Sequence, residues 1–244
     1  MAKKPTSPWL YVGCGCVALV ILAVLTMIGG GAVLVSRVQG YVENMQDPVA
    51  RAEKVKEILG TERLPDAYHA RMYFSLPWPV NLDMVILSDG PEPEQGVFDE
   101  HFEGLDSTAV GDHVFVFFAV RGSPDKDFDE VFEGSRRSGE VQFDMGSSFH
   151  SREELSRGEI DLDPQKLTYV AHRGDFDTDD GERIAGLYSQ VRVTCPDRGR
   201  TRLAVWFERQ PEGADEDAPP DLPGTPADEE ALRDFMSHFN LCVK

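Results

Sequence analysis

The densest run of potential ligand groups is GDFDTDDGE, where Asp175, Asp177, Asp179, Asp180 and Glu182 crowd a few positions. Carboxylates at alternate positions, D-x-D-x-D, let a tight loop turn several oxygens onto one hard cation. Asp175, Asp177 and Asp179 are therefore candidate metal ligands, and Ca2+ is the candidate ion. The run departs from the calcium-loop pattern twice: Gly181 falls one place late, and Gly186 stands where a bidentate glutamate would close the loop. A solvated Asp-Gly turn between two strands accounts for the same residues.

Other chemistry-bearing groups are scattered. His101 sits among Asp99, Glu100 and Glu103 and has the neighbours of an acid–base pair or a metal ligand, or of a simple polar turn. His172 beside Arg173 and Asp175 reads the same way. Arg192, Arg198, Arg200 and Arg202 form the one basic cluster, fit to hold a phosphate or carboxylate or to pair with surplus acids nearby. Gly134-Ser135-Arg136 and Gly146-Ser147-Ser148 lack the spacing of a nucleophile elbow. No phosphate loop, H-E-x-x-H or helix-opening G-x-G-x-x-G occurs. No catalytic residue and no resident cofactor is assigned.

The elements that would position these groups begin with an oily run. Residues 9–35 carry no charge. About 20 apolar residues cross a bilayer's hydrocarbon, and in lipid such a run must be helical to satisfy its backbone. A removable signal has an apolar core of only ~7–15 residues, so the run reads as a retained signal-anchor, a single-pass transmembrane helix. Residues 1–8, with Lys3 and Lys4, form a short cytoplasmic tail. Residues 36–47 form a juxtamembrane stalk, and residues 48–244 an acidic body placed outside the cytoplasm. Cys14 and Cys16, near one interface, are small helix residues or acylation sites.

All 43 acidic residues and 22 of the 24 basic ones follow position 36, which leaves −21 on everything after the apolar run. That balance argues against nucleic acid as a partner and suits a cation, a basic protein or a plain solvated surface. Cys195 and Cys242, the only cysteines of the body, either remain two buried thiols or form a disulfide, which requires an oxidising compartment.

Asp47-Pro48 reads as a helix cap and first-turn proline, with Val49, Ala52, Val55, Ile58 and Leu59 near one face and Gly60 as terminator. Residues 71–76 and 82–88 are strand-like, split by Pro77-Trp78-Pro79. Residues 97–103 suit a short strand. Residues 113–120, HVFVFFAV, suit a central one. A short helix is expected over 123–134, strands over 141–144, 159–162 and 167–172, and a helical turn over 151–157. Residues 182–195 and 201–209 flank a five-residue loop containing Gly199 and predict a hairpin. Residues 211–225, rich in proline, glycine and acid, predict a mobile surface loop. Thr225 then caps a last helix whose Leu232, Phe235, Met236 and Phe239 share one face.

The expected fold class is α+β: a single N-terminal transmembrane helix followed by one antiparallel-sheet domain with helices packed on it. The order of the body's elements, from the Asp47-Pro48 helix through Leu64-Pro65, meandering strands and a closing hairpin to a helix bearing Phe235 and Phe239, resembles the Mog1/PsbP-type α+β fold. An anchor followed by such a body resembles single-pass bacterial envelope proteins. The resemblance implies a binding or assembly accessory and transfers no site residue. The expected function is a membrane-anchored extracytoplasmic binding or assembly module, with the lipid bilayer and a protein as partners. The alternatives are a membrane-tethered hydrolase or metal-dependent enzyme built on residues 175–182 or His101, and a calcium-responsive envelope sensor.

Overall fold

Asp47 opens the fold by capping a helix. Its Oδ1 accepts hydrogen bonds from the backbone N–H of Val49 (2.9 Å) and Ala50 (3.3 Å), two donors that no helical carbonyl can reach. Pro48 occupies the first turn, and Gly60, at φ 62°, ends the helix in the left-handed conformation. The computed structural model describes residues 47–76, 81–91, 111–121, 140–142, 148–177, 183–196, 199–211, 213 and 218–243. All of them belong to one compact unit, Met45–Lys244.

The first helix, α1, spans Pro48–Leu59. It is followed by β1 (His69–Leu76), β2 (Leu82–Ser88), β3 (His113–Arg121), β4 (Glu140–Gln142), β5 (Ser148–Leu162), β6 (Gln165–Asp177), β7 (Arg183–Thr194), β8 (Arg200–Arg209) and α2 (Glu229–Ser237). The strands form one sheet in the order β1-β2-β3-β8-β7-β6-β5-β4. Every neighbouring pair is antiparallel. The chain lays down a first meander, β1 to β3, restarts at the far edge, and returns through a second meander that sets β8 against β3.

Alternation divides each strand between two faces. On one face Tyr188, Val205 and Phe207 form an apolar cluster with Val114, Phe176 and Ile184 against it. On the other, Phe115 and Trp206 are ladder neighbours, and α2 packs over them. Phe235 stacks on Trp206 at 4.3 Å and 6°, and meets Phe115 edge-on at 5.2 Å. Phe239 stacks on Phe115 at 5.2 Å. Burial of Leu232, Phe235 and Met236 contributes about 1.5–3 kcal/mol each.

The chain beyond α2 is tied down twice. Gln165 Nε2 donates to the Phe239 carbonyl (2.8 Å), and its Oε1 accepts from Leu241 N–H (2.9 Å). Cys195, just past β7, is disulfide-bonded to Cys242. The same tail abuts the end of α1, where a methyl group on Gly60 would lie 2.2 Å from the Asn240 carbonyl oxygen.

Several expectations are corrected. Among the described residues the helices hold only 12 and 9 residues against eight strands, so the domain is a β-rich antiparallel sheet with two short helices and not an α+β body. Residues 151–157, expected as a helical turn, are part of β5. Two bulges there, between Ser151 and Glu153 and between Glu154 and Ser156, break the alternation that marks a strand. The last helix starts at Asp228, whose Oδ1 accepts from Glu230 N–H, and not at Thr225, which closes the turn before it.

The expected transmembrane helix, residues 9–35, lies outside the described residues, as do Cys14 and Cys16. Among the described residues no helix is long and apolar enough to cross a membrane. Helix α1 carries Arg51, Glu53, Lys54, Lys56 and Glu57 along its length, and α2 at 1.5 Å per residue is less than half the ~30 Å of a bilayer core. A single-pass membrane protein, and the extracytoplasmic localisation built on one, is not supported. Residues 77–80, 97–103 and 123–134 also lie outside the description.

Two stability predictions follow from this packing. Phe235→Ala removes the ring that four aromatic neighbours enclose and should cost about 3–5 kcal/mol in urea denaturation. Reducing the Cys195–Cys242 bond reopens a 47-residue separation and should cost about 4 kcal/mol by loop entropy. The check is a comparison of unfolding curves with and without a thiol reductant.

Candidate functional site

Two rows of side chains cross the α2-covered face of the sheet and differ in kind. The first runs Phe115, Trp206, Ser189, Ala171, Ser156 from β3 to β5. Its small members leave room for the segment leading into α2. Ser189 Oγ donates to the Pro226 carbonyl, and Ser156 Oγ to that of Ala227 (3.0 Å). The segment before it is folded by Thr225, whose Oγ1 and N–H both donate to the Leu222 carbonyl (2.7 and 3.0 Å). Asp228 joins this turn to the helix by accepting from Gly224 N–H (3.0 Å) as well as capping α2.

The second row lies one step further along the strands: His113, Glu208, Leu187, Arg173, Glu153. Here the turn segment stands off the sheet. The gap is a cleft of about 320 Å³ with Arg173, Leu187, Glu208 and Gln210 as its floor and Pro219, Pro220 and Asp221 in its roof.

At one end of this row His113 is held between two carboxylates. Its Nδ1 lies 2.6 Å from Asp89 Oδ2, and its Nε2 lies 3.7 Å from Glu208 Oε2. Asp89 Oδ1 also accepts from the His113 backbone N–H (2.8 Å). The chain closes over Asp89 because residue 111 is glycine: at φ 77° a Cβ there would lie 2.4 Å from Asp89 Oδ1. Glu208 foremost, and then Asp89, lift the His113 pKa to about 9 against the opposing effect of burial. At neutral pH the ring is an imidazolium with both nitrogens protonated, and it has no lone pair with which to act as a base. Tyr68 accepts from Trp206 Nε1 (2.8 Å), and burial holds its phenol far above the ordinary range. Glu208 Oε2 is sealed from solvent and makes no hydrogen bond.

The residues singled out from sequence fall elsewhere. Asp175 is in β6 opposite Ala185 and is 4% exposed. Its Oδ2 accepts from Arg152 Nε at 2.8 Å, and its Oδ1 is buried without a hydrogen bond. Asp177 is the last residue of β6, opposite Arg183. Asp179, Asp180, Glu182 and His101 lie outside the described residues, among which no three His, Cys, Asp or Glu groups converge on a point. Of the arginine cluster, Arg200 pairs with Asp83 (3.0 Å) and Arg202 is buried. Arg192, one step out of phase with both, belongs to the opposite face. Arg198 is outside the description.

His172 makes the one serine–histidine contact among the described residues, with Nδ1 2.9 Å from Ser151 Oγ. It is 1% exposed, its Nε2 has no hydrogen bond, and burial lowers its pKa. A serine nucleophile would need the imidazole's far nitrogen oriented by an acid and an open approach; this pair has neither and serves the core. Asp89, His113 and Glu208 are the residues that sequence reasoning missed. One signal was present: Glu208 shares the phase of Ala204 and Trp206 in a strand apolar on both faces.

The raised His113 pKa makes a signed prediction. The folded value, about 9, exceeds the ordinary value of about 6.5. The ion pairs therefore add stability that is complete below pH ~6.5 and lost as pH climbs through about 9. NMR titration of the His113 ring should show the high value in the native chain, and Glu208→Gln should bring it down.

No protein-family model, no curated protein and no solved structure matches this chain, so the functional reading rests on its own residues.

Proposed function

We propose that this chain is a binding module without a reaction of its own, and that its ligand enters the cleft between the His113–Arg173 row and the turn at residues 218–225. The observation that carries this reading is the cleft itself, whose volume of about 320 Å³ is in the range of small-ligand sites. Arg173 and Glu208 bring one charge of each sign to its lining, beside Leu187 and two prolines. The neighbouring histidine supports binding over catalysis, because its proton is held by two carboxylates instead of being available for transfer.

Ala218, half-buried in the roof, gives a direct test. Ala218→Trp fills the cleft from an irregular segment and leaves sheet and helices untouched. Across a panel of small charged and polar compounds, those that raise the melting temperature of the native chain should lose that effect in the variant. A panel without any stabilising compound, or a variant that responds as the native chain does, rejects the proposal.

A further inference from the structure

We infer that this chain pairs with a second copy of itself through the far half of β5, antiparallel about a two-fold axis at Gly158, a contact independent of the cleft. β4 pairs with β5 only along Ser148–His150, while β5 stays paired to β6 as far as Leu162. From Glu153 to Leu162 the outer side of the strand has no partner among the described residues. Such a row of backbone N–H and C=O groups is a template for another strand. The two bulges of β5 end at Ser156, so residues 156–162 keep the regular alternation that pairing needs. Ser156, Gly158 and Ile160 share the α2-covered face, and Arg157, Glu159 and Asp161 are exposed on the other.

The order of charge along this edge selects a copy of the same chain. A two-fold axis normal to the sheet reverses the strand and keeps each residue on its own face. With the axis at Gly158, Arg157 stands opposite the partner's Glu159, and Glu159 opposite the partner's Arg157. These four charges alternate in sign around the axis, so each nearest neighbour is opposite and only the diagonals are alike. An axis at 157, 159 or 161 sets a charged residue against itself, and an axis at Ile160 sets Glu159 against the partner's Asp161; like charges directly opposite are destabilising. Gly158 brings no side chain to the axis, because Tyr169 stands 2.9 Å from where its Cβ would be. Contacts within the chain leave both groups reachable. Glu154 takes Nε and one Nη of Arg157 (2.5 Å each), which leaves the second Nη, and Glu159 meets Lys166 with its side chain 60% exposed. The formal charge of −19 per chain opposes association in general, so a copy is a fit partner only where signs alternate locally, as they do about Gly158.

The test uses the full chain, with sedimentation to read mass and hydrogen exchange to read place. Raising the protein concentration should produce a dimer and slow the exchange of backbone amides within 156–162. Arg157→Glu and Glu159→Arg each turn two attractive pairs into two repulsive ones, so either alone should weaken the dimer about tenfold or more. Mixed in equal amounts, the two variants should pair with each other, since every facing charge is again opposite, and the double variant R157E/E159R should pair with itself. A native chain that stays monomeric up to about 1 mM, or a dimer that leaves the 156–162 amides unprotected, overturns the proposal. So does a dimer that neither variant weakens, or one that neither the mixture nor the double variant recovers. Exchange in 156–162 that is slow at every concentration means that the strand is already covered within one chain, and overturns it as well.

Discussion

A helix of nine residues does not hold itself together in water, so what α2 positions depends on its docking, and the centre of that docking is the Phe235 ring lying flat on Trp206. Trp206 is central for a reason of topology. It sits on β8, the strand that joins the two meanders, so a residue docked on it is docked on both halves of the sheet at once. Phe115 and Tyr68, which enclose the same ring, come from β3 and from the approach to β1. The stack therefore fixes more than a helix: it fixes where the turn at 222–225 stands above β6, β7 and β8, and so it sets the height of the cleft.

The ladder turns this into chemistry. A row of Ser189, Ala171 and Ser156 can accept a backbone segment at close range because its side chains are small and their hydroxyls satisfy that segment's carbonyls. The next row carries Glu208 and Arg173, whose longer side chains need room between the sheet and the same backbone. The turn must stand off, and a cavity follows. On the other side of the protein the buried polar groups are handled differently: His172 is stacked at 5.3 Å on Tyr188 and kept neutral by burial. Burying an uncharged imidazole is cheap beside burying a carboxylate, and this separates a core histidine from the cleft's glutamate.

Local signals made much of the scaffold legible. The Asp47-Pro48 start and Gly60 stop of α1, the apolar run of β3, the β7–β8 hairpin around Gly199 and the Phe235 face of α2 each depend on neighbours within a few residues. What depends on pairing did not show. β5 reads as broken because its bulges shift the phase, and its charged residues Arg152, Glu153 and Arg157 suit a water-facing strand as well as a helical turn. Thr225-Pro226 has the form of a helix start but is spent on a turn, because Asp228 caps better once Gly224 folds back onto it. Asp175 has the spacing of a metal ligand, yet strand pairing carries it into the sheet, where Arg152 takes one of its oxygens. The site row is the extreme case: its members come from positions 113 to 208, and only the register makes them neighbours.

The histidine clamp shows why such a row suits recognition more than reaction. For His113 to act as a base it would have to give up a proton that two carboxylates hold, at a pH near 9 instead of 7. Held as a cation, it does something else. It stands between Asp89 and Glu208 and offsets part of their charge. The 3.7 Å gap to Glu208 leaves the attraction largely in place but does not satisfy the oxygen. Side chains fixed by such contacts have their geometry set before any ligand arrives, so the ordering cost of binding falls on the ligand alone.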